Sequence, residues 1–201
     1  MRIIDEEHEH LLAPSAALLA SRPFETISIA DVADAVGCST DDIVAAFGSM
    51  HGLGAAVLTH EGSSMRDAQR RAAKREPDPL LRIPLVFRLV GENLANDVVV
   101  RAGIRIAGES HHCFPGRRIN PFRTWRAFLT SLLSDAITNE SLSSDTDVEG
   151  TAWLITAAGL GTKDLLMFTG GWHEAPALLE RCARLALSAT SAARATDGER
   201  T

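Results

Sequence analysis

Few side chains in this chain stand at spacings that chemistry would need. His8 and His10 lie among Glu6, Glu7 and Glu9 and carry metal-competent donors. Residues two apart point to different faces of a helix, so this acidic start reads as a solvated end. His111, His112 and Cys113 are consecutive, but contiguous residues rarely converge on one ion, and no second pair is spaced to complete a tetrahedron. They read as part of a loop, 109–121. Lys163 and Asp164 interrupt an otherwise apolar stretch. A lone amine there could act as a nucleophile or base, and buried charges need partners. No nucleophile elbow, phosphate loop or spaced carboxylate pair accompanies them, so the sequence assigns no catalytic residue, no metal centre and no cofactor. Cys38, Cys113 and Cys182 are scattered without CxxC spacing, the pattern of reduced thiols in a cytoplasmic protein.

The one stretch with a dense local grammar is Ile27 to Phe47, ISIADVADAVGCSTDDIVAAF. Ser28 stands as an N-cap with Asp31 three residues later. Ile29, Val32, Ala33 and Val36 then repeat on one helical face. Gly37 follows where a helix end needs positive φ. Ser39 and Asp42 repeat the cap, and Ile43 and Phe47 carry the second apolar face. Two short helices about a glycine turn predict a helix-turn-helix, the element that sets a recognition helix into a DNA major groove.

Its outward chemistry is unusual for that task. The second helix opens Thr40, Asp41, Asp42, Ile43, Val44, Ala45, Ala46, and no Lys, Arg, Asn or Gln occurs between Arg22 and Arg66. Residues 1–60 hold two arginines against nine carboxylates, a balance of −7, while the remainder balances at +1 and the whole chain at −6. Non-specific DNA affinity comes from Lys and Arg on phosphates, and each good base-edge contact is worth about 1–3 kcal/mol. What remains for contact is Ser28, Ser39, Thr40 and Val44, none of them charged.

The other elements follow from periodicity. With 45% hydrophobic residues, no tyrosine and little strand-like alternation, the chain is expected to be all-α. No apolar run reaches the ~20 residues of a membrane span. Leu11, Leu12, Ser15, Leu18 and Leu19 form a first helix, with Pro14 in its first turn. After a glycine-punctuated turn, Gly48 to Gly54, a helix runs to about Arg75. Its later part carries Arg66, Arg70, Arg71, Lys74 and Arg75, a stripe that reads as a solvated face or as a contact for DNA or an acidic partner. Pro77, Pro79 and Pro84 mark a break. Leu85 to Leu94 makes the next helix, and Asn96 or Asp97 caps another from Val98 to about Gly108. Phe122, Trp125, Phe128, Leu129, Leu132, Leu133 and Ala136 share one stripe of an amphipathic helix. A polar break at 138–147 precedes two final helices, about 148–168 and 174–192. The first is apolar nearly all round and contains Gly159 and Gly161.

This order of elements resembles the TetR family of ligand-responsive repressors, through LLAPSAALLASRPFETISIADVADAVGCSTDDIVAAFGS. The C-terminal part looks closest to the γ-butyrolactone receptors, through NDVVVRAGIRIAGES at 96–110 and NPFRTWRAFLTSLLSDA at 120–136. The resemblance implies a helix-turn-helix domain at 1–52, a connecting helix at 53–76, a ligand-binding and dimerisation domain at 77–195 and a polar tail at 196–201. It implies an apolar cavity in which Trp125 meets the ligand, with Phe87, Val90, Phe122, Phe128, Trp153 and Lys163 as further candidates. The last two helices would form a dimer's four-helix interface. Against the family pattern, Val44 stands where a phosphate-binding tyrosine is common, Met50 where a lysine opens the next helix, and Ile27 where a hydroxyl is common. Three functions fit. The chain could sense a small apolar signal such as a γ-butyrolactone, with a DNA-competent paralogue completing a heterodimer. It could be a homodimeric repressor released by ligand. Or the scaffold could serve as a ligand carrier or enzyme, with Lys163, Asp164 and the His111–Cys113 segment as first suspects.

Overall fold

The computed structural model describes residues 10–114, 116 and 119–197, and among them it contains helices and no strand. The helices are α1 (Leu12–Ser21), α2 (Ile29–Val36), α3 (Thr40–Phe47), α4 (Met50–Arg75), α5 (Pro79–Asn96), α6 (Val98–Cys113), α7 (Pro121–Thr138), α8 (Val148–Thr169) and α9 (Ala175–Asp197). Short 3₁₀ turns occupy Phe24–Thr26 and Trp172–Glu174. The expectations for His8 and for the side chains of His111 and His112 lie outside the described residues, as does the end of the tail.

Packing divides the chain into two units, Met1–Arg66 with Asp97–Pro121, and Asp67–Asn96 with Phe122–Thr201. α6 groups with the N-terminal helices, and α4 contributes residues to both units.

In the first unit α1, α2, α3, α6 and the early part of α4 enclose Leu12, Ala16, Leu19, Val32, Ile43, Leu53, Val57, Ala102 and Ile106, all buried. Pro14 sits in the first turn of α1, where its missing N–H costs no helical bond. Both helices of the helix-turn-helix carry complete capping boxes, at Ser28/Asp31 and Ser39/Asp42. Gly37 closes α2 at φ 77°, the left-handed conformation that favours glycine.

Three boundaries differ from the sequence reading. α4 begins at Met50, not after Gly54. Ser49 caps it, its hydroxyl accepting from the Gly52 N–H at 3.0 Å. Gly54 lies inside the helix because a Cβ there would stand 2.6 Å from the Phe114 ring and 2.7 Å from that of Phe24. Pro84 does not break the chain but lies within α5. Asp78 starts that helix by accepting from the Leu80 N–H at 2.8 Å, and the burial of Pro84, Ile83 and Val86 offsets the one bond that Pro84 cannot make. α6 runs five residues past Gly108 to Cys113, so His111, His112 and Cys113 are helical rather than loop residues. Tertiary contacts hold that last turn: Glu109 accepts from the Phe24 N–H at 2.9 Å, and Cys113 and Phe114 are buried.

In the second unit α5 packs on α9, and α9 on α8. The predicted stripe of α7 is buried at Leu129, Leu132, Leu133 and Ala136. From α8 come Ile155 and Leu166, and from α9 Leu179, Ala183 and Ala186. Asp147 caps α8, accepting from the Gly150 N–H at 2.9 Å.

Candidate functional site

The helix-turn-helix spends its exposed serine hydroxyls on its own caps. The Ser28 backbone N–H donates to the Asp31 carboxylate at 2.8 Å and its hydroxyl to the same oxygen at 2.5 Å. Ser39 repeats this with Asp42, at 2.9 Å and 2.7 Å. The two candidate serine hydroxyls are thus already engaged in caps. The Ser28 bonds, with Arg22 adding a smaller pull, hold the Asp31 carboxyl below its ordinary value of 3.8. Arg22 is the only Lys or Arg from residue 10 to 65, and it is turned to its own unit. Its guanidinium donates to the Thr26 carbonyl at 2.9 Å and lies 3.7 Å from Asp31. The outer face of α3 presents Thr40, Asp41, Val44 and Ala45, all exposed. Apart from the Thr40 hydroxyl, this apolar and acidic face offers phosphates no donor and no positive charge.

The second unit gathers an aromatic cluster. Trp125 on α7 meets Phe87 of α5 edge-to-face at 5.9 Å and Phe128, on its own helix, at 5.8 Å. Beneath them Ala68, Ala72, Val86 and Leu89 are buried, with Leu85 and Val90 packed alongside. Gly159 of α8 makes room for Phe87, since a Cβ there would stand 2.6 Å from the ring. Of the candidates, Phe87, Val90, Trp125 and Phe128 are brought together. Phe122 is half-buried one turn before Trp125. Trp153 is 52% exposed on α8, and Lys163 pairs with the adjacent Asp164.

Sequence reasoning missed a polar pair beside this cluster. Arg71, read as part of a solvated stripe, donates to the Asn93 side chain at 3.1 Å and pairs with Asp67 at 3.0 Å. Arg66, Arg70, Lys74 and Arg75 are the exposed members of that stripe. Helical spacing from Ala68 and Ala72 could have singled out Arg71, but nothing local marks Asn93 as its partner.

α8 and α9 leave large apolar side chains in solvent: Trp153, Leu165 and Phe168 on the first, Leu178 and Leu185 on the second. Leu165 is 67% exposed and Phe168 90%. Several exposed side chains of this size on two adjacent helices are the composition of an interface rather than of a free surface.

Among the described residues no group of three or more His, Cys, Asp or Glu side chains gathers as for a metal ion. Burial pushes the Cys113 thiol up, and Glu25, 3.7 Å from its sulfur, pushes it further. Burial likewise raises Cys182. Neither thiol has the electropositive setting that makes a cysteine nucleophilic. One further acid was not foreseen: half-buried Glu61 on α4 packs against Gly103 of α6, and desolvation pushes its carboxyl from 4.5 up to about 7.

Solved structures share this arrangement. A γ-butyrolactone receptor described as ArpA-like matches with a TM-score of 0.71 at 21% identity, over 92% of this chain and 98% of its own. CprB, a TetR family protein from S. coelicolor A3(2), matches with a TM-score of 0.71 at 22% identity, over 81% of this chain and 79% of its own. The fatty acid degradation regulator FadR from Bacillus halodurans matches with a TM-score of 0.74 at 12% identity, over 92% and 97%. No protein-family model and no curated protein matches the chain. At such identities the likeness establishes a fold, and that fold is the TetR-like all-α fold.

Proposed function

We propose that this chain, with the fold of the TetR-type regulators, is a transcriptional regulatory protein that senses a small apolar molecule of the γ-butyrolactone type. Ligand meets Trp125, Phe87, Phe128 and Val90 in the second unit, and α8 and α9 form the dimer interface. Recognition helices come from a DNA-competent TetR-like partner subunit. The observation that carries this reading is a helix-turn-helix with both capping boxes intact and an outer face of Thr40, Asp41, Val44 and Ala45. A structure kept for its shape while its contact chemistry is lost fits a subunit that transmits a signal and leaves DNA contact to its partner. A homodimer would bring two such faces to the operator, both without cations.

Trp125 suits an apolar ligand with one polar group, since its ring gives area and its indole N–H one donor. α4 contributes residues to both units, and a ligand that binds one position of α4 better than another shifts the population between them. Trp153, exposed with Leu165 and Phe168, fits the dimer face better than the ligand site. Lys163, already paired with Asp164, is no free amine for catalysis. Among the described residues no single helix is long and apolar enough to cross a membrane, in keeping with a cytoplasmic regulator.

A low-salt gel shift on the promoter of its own gene tests the DNA assignment. The chain alone should leave the fragment unshifted, and adding a neighbouring TetR-like paralogue should give a complex that lactone dissolves. Tight sequence-specific binding by this chain alone would instead select the homodimeric repressor. For the ligand, lactone should raise the melting temperature of the wild type and leave Trp125→Ala, folded as judged by circular dichroism, with little of that shift. An undiminished shift would return Trp125 to plain core packing. Mass spectrometry should recover the lactone unchanged; turnover would favour the enzyme reading.

A further inference from the structure

The contact between α4 and α6 in the first unit holds titratable groups that neither ligand sensing nor DNA contact uses. His60 Nε2 lies 2.6 Å from Asp97 Oδ2. The other oxygen of Asp97 accepts from the backbone N–H groups of Val99 at 2.8 Å and Val100 at 3.3 Å. One carboxylate therefore caps α6 and ties it to α4. Beside His60, Glu61 lies against Gly103, where a Cβ would stand 2.3 Å from Glu61 Cβ and 2.7 Å from Cγ. Only a residue without a side chain lets the two helices close on Glu61 and draw it partly out of water.

We propose that Glu61, packed against Gly103 beside the His60–Asp97 bond, is a proton-operated latch between α4 and α6, closed when Glu61 is neutral and loosened as its proton leaves. The charged groups around it are His60 and Arg66 on α4 and Asp97 on α6, with Arg101 one turn further along α6. Gly103 offers Glu61 no charge and no side-chain donor. Burial raises the Glu61 carboxyl to about 7 although Arg66 and His60 both pull it down. The neutral acid is thus the form that suits the packed state. Its contribution is fully present below the ordinary value of 4.5 and is lost as pH rises through about 7. That loss loosens the contact between the two helices. The helix that follows the recognition helix is therefore gripped more firmly at mildly acidic pH than above neutrality.

Amide hydrogen exchange on the full-length protein reads the latch at Val99 and Val100, after correction for intrinsic exchange. Between about pH 6.2 and about pH 8, wild-type protection there should fall about five- to tenfold, the change expected of one such carboxyl. Glu61→Gln keeps the shape and stays neutral, so it should abolish most of that fall. His60→Gln should lower protection already at the acidic end. A flat wild-type profile, or a Glu61→Gln profile as steep as the wild type, would overturn the proposal. So would a Glu61→Gln protein that cannot fold, because the site would then require the carboxylate.

Discussion

Replacing Leu165 and Phe168 together by aspartate should convert a dimer into a folded monomer. Both side chains are largely in solvent in the single chain, so the substitution removes little from the chain's own core. In a paired face the same side chains would be dry. Burying a Leu or Phe is worth about 1.5–3 kcal/mol, and a two-fold interface counts each residue twice. Losing four such contacts removes on the order of 6 kcal/mol or more, a weakening of association by roughly 10⁴-fold. The new carboxylates would also stand beside Asp164, itself exposed on the same helix. Sedimentation at micromolar concentration should show a monomer with undiminished helical circular dichroism. A variant that still sediments as the wild-type dimer would move the interface elsewhere. If the partner is a paralogue, the same variant should fail to co-purify with it.

What could be read from the residues alone was what is decided within a few positions. Ser28 with Asp31, Gly37, and Ser39 with Asp42 each complete their geometry inside one turn, so spacing carries the whole reason for them. The apolar face of α7 is likewise set by period, and Trp125 and Phe128 meet because they stand three apart on it. The misreadings are the places where the cause lies far along the chain. Gly54 reads as turn punctuation, but it is glycine because the Phe24 and Phe114 rings arrive where a Cβ would be. Pro84 reads as a break, but the burial of α5 overrides it. Glu61 has nothing near it in sequence to mark it as packed; Gly103 on another helix does that. The partnership of Phe87 with Trp125 depends on Gly159 of another helix, where a Cβ would stand 2.6 Å from the Phe87 ring.

Small residues of this kind also set the largest expected effect on stability. At Gly91 of α5 a Cβ would stand 2.5 Å from Pro176 Cα and 2.6 Å from the Ala175 carbonyl carbon and oxygen. Those atoms are backbone at the start of α9, so they cannot rotate away, and Gly91→Ala must push the two helices apart. Overpacking of this sort costs about 1–3 kcal/mol, sometimes more, against a gain of about 1 kcal/mol in helix propensity. Gly91→Val adds bulk with less propensity gain and should cost about 3 kcal/mol or more, a fall in melting temperature of roughly 6–12 °C. Gly108→Ala is the control, because nothing lies within 4 Å of its added Cβ; it should be neutral or stabilise by up to about 1 kcal/mol. Gly159→Ala separates stability from ligand binding. Its added methyl meets the edge of the Phe87 ring, a side chain that can turn, so the stability cost should be well below that of Gly91→Val. The turned ring would press on Trp125, so the lactone-induced thermal shift should shrink even where the fold holds. Equal losses for Gly91→Val and Gly108→Ala in thermal unfolding would show that close approach at the start of α9 is not what Gly91 serves.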